Sequence, residues 1–231
     1  MIQPTAQPQR RRPGRPPRLT RDAIVRAGLA IADDRGLDAV TMQNVATALD
    51  AKPMSLYRHV RDKEDLVDGM VDLVFDEAAA PSVQPDWTAA LREAAGSMRT
   101  ALMRHRWAIG LMESRVQPGP ANLGFHDAVL GVLLASGFTS VTATRAYNLV
   151  DSYVYGFALQ EASLPVATPE AMADVADAIL EAMPEDRFPH LGRVGRDLMT
   201  AGFDYRAEFE IGLDLILDTL ARSDVAPVRA P

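Results

Sequence analysis

No cysteine occurs among the 231 residues, which excludes a disulfide framework, an iron–sulfur cluster and a thiol nucleophile. A chain without such cross-links must be stabilised by burying apolar side chains, and a hydrophobic content of 48% is enough to build a sizeable core. The lack of cysteine also agrees with a reducing compartment. We therefore expect a protein that folds by itself in the cytosol.

Long hydrophobic runs are lacking as well. The longest uncharged run, residues 128–144, is interrupted by Ser136, Gly137, Thr139 and Ser140, and it falls short of the ~20 apolar residues that a membrane helix requires. The first residues do not contain the apolar stretch of a signal peptide. The sequence thus predicts a cytoplasmic protein with no membrane partner.

The motifs of common enzymes are missing. The histidines are far apart in the sequence and none belongs to the HExxH pattern of zinc hydrolases; they are His59, His105, His126 and His190. There is no Gly-rich phosphate loop and no Gly-x-Ser-x-Gly nucleophile motif. The sequence accordingly predicts neither an enzyme nor a bound metal or other cofactor.

Charge is distributed very unevenly along the chain, although the net charge is −7. Residues 1–63 carry twelve Lys and Arg against six Asp and Glu, whereas residues 64–231 carry twelve against twenty-five. Both lysines, Lys52 and Lys63, lie in the basic part. A basic end attracts phosphate and an acidic remainder is repelled by it, so this pattern indicates a nucleic acid as a partner of the N-terminal part.

Residues 1–18 differ from the rest of the chain. They are rich in Pro, Gln and Arg with almost no apolar content, which predicts a disordered arm. The candidates for DNA contact in this arm are Arg10, Arg11, Arg12, Arg15 and Arg18. The run Pro-Gly-Arg-Pro at 13–16 resembles the core of an AT-hook, which enters the minor groove. A nonspecific tether to phosphate is the interpretation we favour, because it is the commoner role of such tails.

From residue 19 onward, apolar residues recur at helical spacing without the period-two alternation of strands, which predicts an all-α fold. Thr20, Thr41 and Asp62 are candidate N-caps, Gly36 is a candidate left-handed stop, and Pro53 is suited to start a helix after a tight turn. The predicted helices are 21–35, 42–49, 53–60 and 63–77, followed by 86–105, 107–114, 122–136, 140–162, 169–183, 190–201 and 204–222.

The second and third of these helices have the pattern of a helix-turn-helix unit. Both are short, the turn between them is tight, and the third has few inward positions and a polar outer face. A major groove admits one helix whose exposed side chains reach base edges while its apolar face stays docked on the protein. The unit therefore predicts sequence-specific binding to DNA.

The sequence around this unit is similar to the DNA-binding head of the TetR family of regulators. The similarity covers residues 19–75 and depends on TMQNVA at 41–46, on Leu49 and on SLYRHVRDKEDL at 55–66. Asp50 departs from the glycine usual in the family's turn, but Asp can adopt a left-handed conformation at modest cost. The resemblance implies a helix-turn-helix domain at 19–66, a ligand-binding and dimerisation domain at 67–223 and a disordered tail at 224–231.

The resemblance also assigns roles in DNA binding. The family's base-reading positions are occupied here by Lys52, Pro53, Ser55 and Arg58, and its phosphate-contacting positions by Thr41, Tyr57, His59 and Lys63. An arginine can pair bidentately with guanine, which makes Arg58 the strongest candidate for reading a base. Two of these residues have structural alternatives, because Thr41 also suits an N-cap and Tyr57 also suits a core position.

The rest of the chain resembles the regulatory domain of tetracycline repressors in particular, above all at residues 87–106 and 209–217. This resemblance implies that the helices at 140–162 and 204–222 pair with their copies in a second subunit, giving a homodimer. The side chains expected at that interface are Val150, Val154, Phe157, Phe209, Leu213, Ile216, Leu217 and Leu220.

A ligand pocket is also implied, but with changed chemistry. The positions that hold tetracycline and its magnesium ion in those repressors correspond to Ala79, Ala94, Met98, Met112 and Arg115. Because polar ligands are replaced by methyl and thioether groups, we do not expect tetracycline with magnesium. Candidate walls of an apolar cavity are Met98, Trp107, Met112, Phe125 and Tyr147, and candidate polar contacts are Asn122, His126, Asn148, Asp151 and Gln160. Such Met and aromatic stripes are also common in ordinary cores.

Together these features predict a homodimeric repressor that binds a palindromic operator and is released by a small, largely apolar effector. Two alternatives remain open at this point: a DNA-binding dimer without an effector, and an activator of transcription.

Overall fold

A computed structural model describes residues 19–164, 169–184, 186–202 and 204–222, with the side chains of 169–173 excluded. The N-terminal arm, its AT-hook-like run and the tail at 224–231 lie outside these residues. Every regular element in the described part is helical, which confirms the all-α prediction. The helices are α1 (Arg21–Arg35), α2 (Met42–Ala48), α3 (Pro53–Leu56), α4 (Lys63–Glu77), α5 (Trp87–Arg104), α6 (Pro120–Ala135), α7 (Ser140–Ala162), α8 (Pro169–Ala182), α9 (Pro189–Ala201) and α10 (Tyr205–Arg222). Two 3₁₀ segments occur at Leu37–Ala39 and Arg106–Leu111.

The helix starts follow from side-chain caps. Thr20, Thr41 and Asp62 each accept a hydrogen bond from the backbone N–H three residues later, as the sequence predicted. Gly36 ends α1 at φ 80° and ψ 165°, so it has the positive φ expected but an extended rather than a left-handed helical ψ. Asp50 adopts φ 49° in the turn between α2 and α3, where the family usually has glycine.

The third helix is shorter than predicted. It ends at Leu56 instead of Val60. The reason is local: the backbone N–H groups of His59 and Val60 both converge on the carbonyl oxygen of Leu56, at 2.8 and 3.0 Å, and this closes the chain into a tight turn. The predicted helix at 107–114 is likewise a 3₁₀ segment that begins at Arg106 and ends at Leu111.

Two hydrophobic cores share one helix. The head core is built on α1, α2 and α3, and the body core on α5, α6, α7 and α10. Helix α4 contributes Leu66 and Met70 to the head core and Val71 and Phe75 to the body core. Gly28 lets α1 approach α4 closely, because a Cβ atom there would lie 2.9 Å from the Sδ atom of Met70. Any displacement of α4 must therefore disturb both cores.

The remaining helices, α8 and α9, pack against each other. Several large apolar side chains of this pair are exposed, namely Ile179, Leu191, Val194 and Leu198. None of the helices in the described residues is long and apolar enough to cross a bilayer.

Candidate nucleic-acid interface and effector cavity

The third helix presents one face to the protein and another to solvent. Leu56 is fully buried in the head core, while Met54, Tyr57 and Arg58 are exposed on or directly after the same helix. Tyr57 is 47% exposed, so it is not a core residue in this subunit. A helix docked through one apolar side chain, with its other side chains in solvent, has the form that insertion into a major groove requires.

The predicted DNA contacts are accessible to different degrees. Those that are exposed are Thr41, Lys52, Tyr57, Arg58, His59 and Lys63, and those that are partly buried are Pro53 and Ser55. Thr41 caps α2 with its hydroxyl, 3.1 Å from the backbone nitrogen of Asn44. Lys63 begins α4, where free backbone N–H groups favour an anion. The described geometry thus permits the proposed contacts, which stay a prediction.

An ion pair between a half-exposed arginine and a buried carboxylate fixes the start of α4 against α1. The guanidinium of Arg21 donates to both carboxylate oxygens of Asp65, at 2.8 and 3.0 Å, and the backbone N–H of Arg61 donates to the same carboxylate at 2.7 Å. The hydrogen bonds from Arg21 hold the pKa of Asp65 below its usual range despite its burial. The head is therefore braced next to Lys63, a predicted phosphate contact.

A second polar cluster joins the head to the body. His105, which is 2% exposed, follows α5 and lies with Nδ1 2.8 Å from Asp33 of α1 and with Nε2 3.1 Å from Glu77 of α4. Trp107 donates from Nε1 to the same Asp33 oxygen at 2.7 Å. Burial opposes the charge of Glu77, but hydrogen bonds from His105 and Arg104 outweigh it and lower the pKa of Glu77. Helices α1, α4 and α5 are thus connected at one point.

The loop before α6 holds α4 at further points. Arg115 donates to Asp68 at 2.6 Å and to the carboxylate of Glu64 at 2.8 Å, both on α4. Burial alone would lower the pKa of Arg115, but these two acceptors raise it. At the start of α6, the backbone N–H of Asn122 donates to Asp72 at 2.9 Å. Arg115 occupies a position that the resemblance assigned to the drug site, yet its side chain is engaged on α4.

A small cavity lies within the body between α5, α6 and α7. Its lining is almost entirely apolar and includes four of the predicted pocket residues; the lining residues are Leu91, Ala94, Ala95, Met98, Phe125, Val129, Tyr147, Val150, Asp151 and Val154. The cavity has a volume of about 30 Å³, whereas sites for drug-sized ligands occupy ~300–1,000 Å³. A ligand of that size must therefore displace side chains as it enters, and flexible Met98 is suited to move.

One side of this cavity carries ionisable groups. Asp151 and Tyr147 line it from successive turns of α7, and Tyr155 follows one turn later. Burial raises the pKa of Asp151 to about 7, and the charge of Glu113 adds to this effect. Burial also raises the pKa of Tyr147 and of Tyr155. Tyr155 was missed in the sequence, although its four-residue spacing from Asp151 indicates a shared helix face.

The other predicted pocket residues lie elsewhere. Trp107 donates a hydrogen bond to Asp33 at the junction of head and body. Asn148 and Gln160 are exposed to solvent. Met112 and Asn122 are buried, but they are not part of the cavity lining. His126 is half-buried and lies with Nδ1 2.7 Å from the hydroxyl oxygen of Tyr147, so it contacts a wall residue and not the cavity itself. Burial lowers the pKa of His126.

The residues predicted for a subunit interface are mostly inside the single chain. Six are buried in the body core and two are partly buried against it; the six are Val150, Val154, Phe209, Leu213, Leu217 and Leu220, and the two are Phe157 and Ile216. The same two helices leave other apolar side chains exposed, namely Val141, Leu149 and Leu159 on α7 and Ile211 and Leu215 on α10. The surface available to a second subunit is therefore on a different face of these helices.

The described residues contain no group of three or more His, Cys, Asp or Glu side chains placed to hold a metal ion. In particular, the positions that the resemblance assigned to the drug and its magnesium ion present methyl groups at Ala79 and Ala94 and thioethers at Met98 and Met112. Nothing in this set provides the oxygen ligands that Mg²⁺ prefers.

Two family descriptions match this chain. Residues 24–70 match "Bacterial regulatory proteins, tetR family", and residues 80–223 match "Tetracyclin repressor-like, C-terminal domain". Among curated proteins, the chain is 32% identical over 223 residues to the HTH-type transcriptional repressor DrrR1 of Streptomyces coeruleorubidus, covering 91% of this chain and 81% of that one. It is 29% identical to the class G tetracycline repressor protein of Vibrio anguillarum, covering 87% and 92%.

A solved structure is similar throughout. The TetR family protein ActR of Streptomyces coelicolor, in complex with actinorhodin, has a TM-score of 0.76 and 28% identity, with 90% of this chain and 98% of that chain covered. These matches are to transcriptional regulators. They confirm the prediction that the chain is a DNA-binding regulator and not an enzyme.

Proposed function

The chain belongs to the TetR family of transcriptional regulators, and on that basis we propose that it is a homodimeric repressor released from a palindromic operator by a small, largely apolar effector. The observation that carries this proposal is the position of α4. It begins beside the proposed DNA-binding surface at Lys63, contributes to both hydrophobic cores, and ends at Glu77 beside His105. A change in the body can therefore reach the head through one rigid element.

Recognition of DNA is assigned to α3 and the turn after it. Arg58 reads a base, and Lys63 contacts a phosphate at the start of α4. The side chains of Arg58 and Lys63 are both exposed, which supports these roles. The Arg21–Asp65 pair adds support, because it holds the start of α1 against the start of α4. A fixed head matters because a rigid duplex tolerates only one spacing of two reading helices.

The effector enters the cavity between α5, α6 and α7. ActR, which resembles this chain in sequence and fold, is described in complex with actinorhodin, which supports a small molecule as the signal here. Entry must push apart the lining of a cavity of about 30 Å³. Because α4 packs on α5 and α6, such expansion displaces α4 and changes the position of the head.

Dimerisation is assigned to the exposed apolar faces of α7 and α10. Leu149 and Leu159 on α7 and Ile211 and Leu215 on α10 are between 47% and 66% exposed in the single chain. Exposed leucines and isoleucines repeated along neighbouring helices are costly in water, and burial against an identical copy removes that cost. Two identical heads would then present themselves to a palindromic operator.

The test combines a ligand screen with an operator assay. A thermal-shift screen finds a stabilising compound, and a mobility-shift titration asks whether that compound releases operator DNA. By linkage, operator DNA must weaken compound binding by the same factor. Compounds that bind without affecting DNA would favour a dimer without an effector, and stronger binding to DNA would favour an activator.

A variant probes the route through α4. Arg115→Leu removes the pair with Glu64 and Asp68, so compound binding should persist while release of DNA is weakened. The matched control is Arg106→Leu, because Arg106 is exposed in the preceding segment and has no described contact with α4. If both variants release DNA at the wild-type compound concentration, the coupling does not pass through Arg115.

A further inference from the structure

One carboxylate in the body is poorly accounted for by the fold. Asp151 lines the cavity, and burial raises its pKa to about 7. Among the described residues it has no hydrogen bond and no ion pair. A carboxylate in an apolar wall costs free energy unless it is paired. A single substitution by an apolar residue would remove that cost. Its position is therefore better explained by a partner that arrives from outside.

A second polar group beside it is also unsatisfied. The hydroxyl of Tyr155, one turn along α7, is buried and has no hydrogen-bond partner among the described residues. Burial raises the pKa of Tyr155, and the charge of Asp151 and the approach of Glu113 as a hydrogen-bond acceptor add to this effect, although the geometry is not that of a complete hydrogen bond. Asp151 and Tyr155 therefore place an unpaired carboxylate and a buried hydroxyl on one face of α7.

The surrounding charges are all of one sign. The charge of Glu113, at the end of the 3₁₀ segment, acts on Asp151, Tyr147 and Tyr155 of α7 and on His126 of α6. No Lys or Arg belongs to the described lining of the cavity. The field in the cavity is therefore negative, with nothing in its walls to neutralise it.

The remaining walls suit a flat apolar group. Phe125 and Tyr147 contribute aromatic side chains to the lining, and Met98 contributes a flexible thioether. Aromatic faces attract cations in addition to packing against rings. The cavity thus combines aromatic walls with one unpaired carboxylate, that of Asp151, while Tyr155 lies one turn further along α7, outside the cavity lining.

From this combination we propose that the effector is an organic cation, a protonated amine on an aromatic skeleton, whose nitrogen pairs with the carboxylate of Asp151. This inference rests on the proposed function and narrows its ligand class. An anionic ligand would meet the repulsion of Asp151 and Glu113. A neutral ligand would leave the carboxylate of Asp151 without a counter-charge.

Three naphthalene probes of similar shape test the charge. They are naphthylethylamine, naphthylethanol and naphthylacetate, and their binding to the full-length protein is measured by calorimetry. We expect the amine to bind about tenfold more tightly than the alcohol, as a hydrogen-bonded charge pair would give, and the acetate to bind least. An alcohol that equals the amine, a preference for the acetate, or no binding by any probe would overturn the proposal.

The pH dependence separates two uses of Asp151. An amine needs the ionised carboxylate, so its affinity should rise about tenfold between about pH 6 and about pH 8 while the amine itself stays protonated. A neutral ligand that accepts a hydrogen bond from the protonated acid would instead lose affinity over that range. The ionisable groups that interact electrostatically with Asp151 are Glu113, Tyr147 and Tyr155, and His126 contacts Tyr147.

Variants locate the effect. Asp151→Asn should abolish both the preference for the amine and the pH dependence, while Asp127→Asn, an exposed carboxylate on α6, should change neither. Tyr155→Phe offers a second control, because Tyr155 lies outside the cavity lining, and it should keep the preference for the amine. Wild-type selectivity in Asp151→Asn would reject the site.

Operator binding in the same preparations keeps the two claims distinct. If the protein binds operator DNA normally but does not bind the amine, the proposal of a cationic effector is wrong and the proposed role as a regulator is unaffected. If neither binds, the proposed function itself is in question.

Discussion

Nδ1 of His105 lies 2.8 Å from Oδ1 of Asp33, so a buried histidine at the end of a body helix meets an acid on the first helix of the head. Trp107 donates to the same oxygen. Asp33→Ala removes the acceptor from both, and the loss of partners for buried donors should cost ~1–3 kcal/mol in the free energy of unfolding. Urea unfolding at fixed protein concentration measures this.

The neighbouring acid provides the control for that experiment. Asp34 has a 79% exposed side chain and only a distant contact with Arg35, so Asp34→Ala should change stability by less than about 0.5 kcal/mol. Equal effects of the two substitutions on the free energy of unfolding would mean that the contacts of Asp33 with His105 and Trp107 do not stabilise the fold.

Asp151 gives the stability of the protein a pH dependence. Its pKa is raised to about 7 by burial, so the folded protein binds this proton more tightly than the unfolded chain, whose Asp has a pKa of about 3.9. Stability contributed by the protonated form is therefore lost as pH rises from about 4 to about 7. Asp151→Asn should be more stable than wild type at about pH 8, by up to ~4 kcal/mol, with little difference at about pH 4.

Denaturant unfolding across this pH range checks the sign. Asp127→Asn should follow the wild-type curve, because Asp127 is exposed. A parallel curve for Asp151→Asn and wild type would show that the carboxylate is no more costly in the fold than in the unfolded chain.

The two faces of α10 should respond differently to charge. Leu213 is 1% exposed and Leu215 is 66% exposed. Leu215→Arg should leave a folded subunit, as judged by circular dichroism, that sediments as a monomer. Leu213→Arg should instead unfold the subunit, since it introduces an unpaired charge into the core. A dimeric Leu215→Arg protein would show that another surface holds the subunits together.

Much of the fold was predictable because helix signals are local. Thr20, Thr41 and Asp62 mark helix starts through their own backbone contacts, and apolar spacing marks the helices that follow. The end of α3 at Leu56 was not predictable in this way, because it depends on how two backbone N–H groups share one carbonyl. The extended ψ of Gly36 is set by the following 3₁₀ segment in the same manner.

The candidate site was predicted less completely, for a physical reason. Apolar side chains are needed both in the core and between subunits, so sequence alone did not show that Leu213 and Leu217 lie inside the subunit while Ile211 and Leu215 face outward. The same ambiguity placed Trp107 in the pocket, where it belongs to the junction with Asp33. On α7, Tyr147 and Asp151 line the cavity as predicted, whereas Asn148 and Gln160 are exposed, because they lie on another face of the helix.

The most direct test of the account is selection of DNA from random duplexes with the wild-type protein, repeated with Arg58→Ala and Lys63→Ala. We expect a palindrome with half-sites about one helical turn or a multiple of it apart. Arg58→Ala should relax one position in each half-site at a cost of ~1–3 kcal/mol, and Lys63→Ala should weaken all sequences alike and reduce the salt slope by about one unit. No enriched sequence, or identical specificity profiles for the two variants, would contradict the proposed reading of DNA by this head.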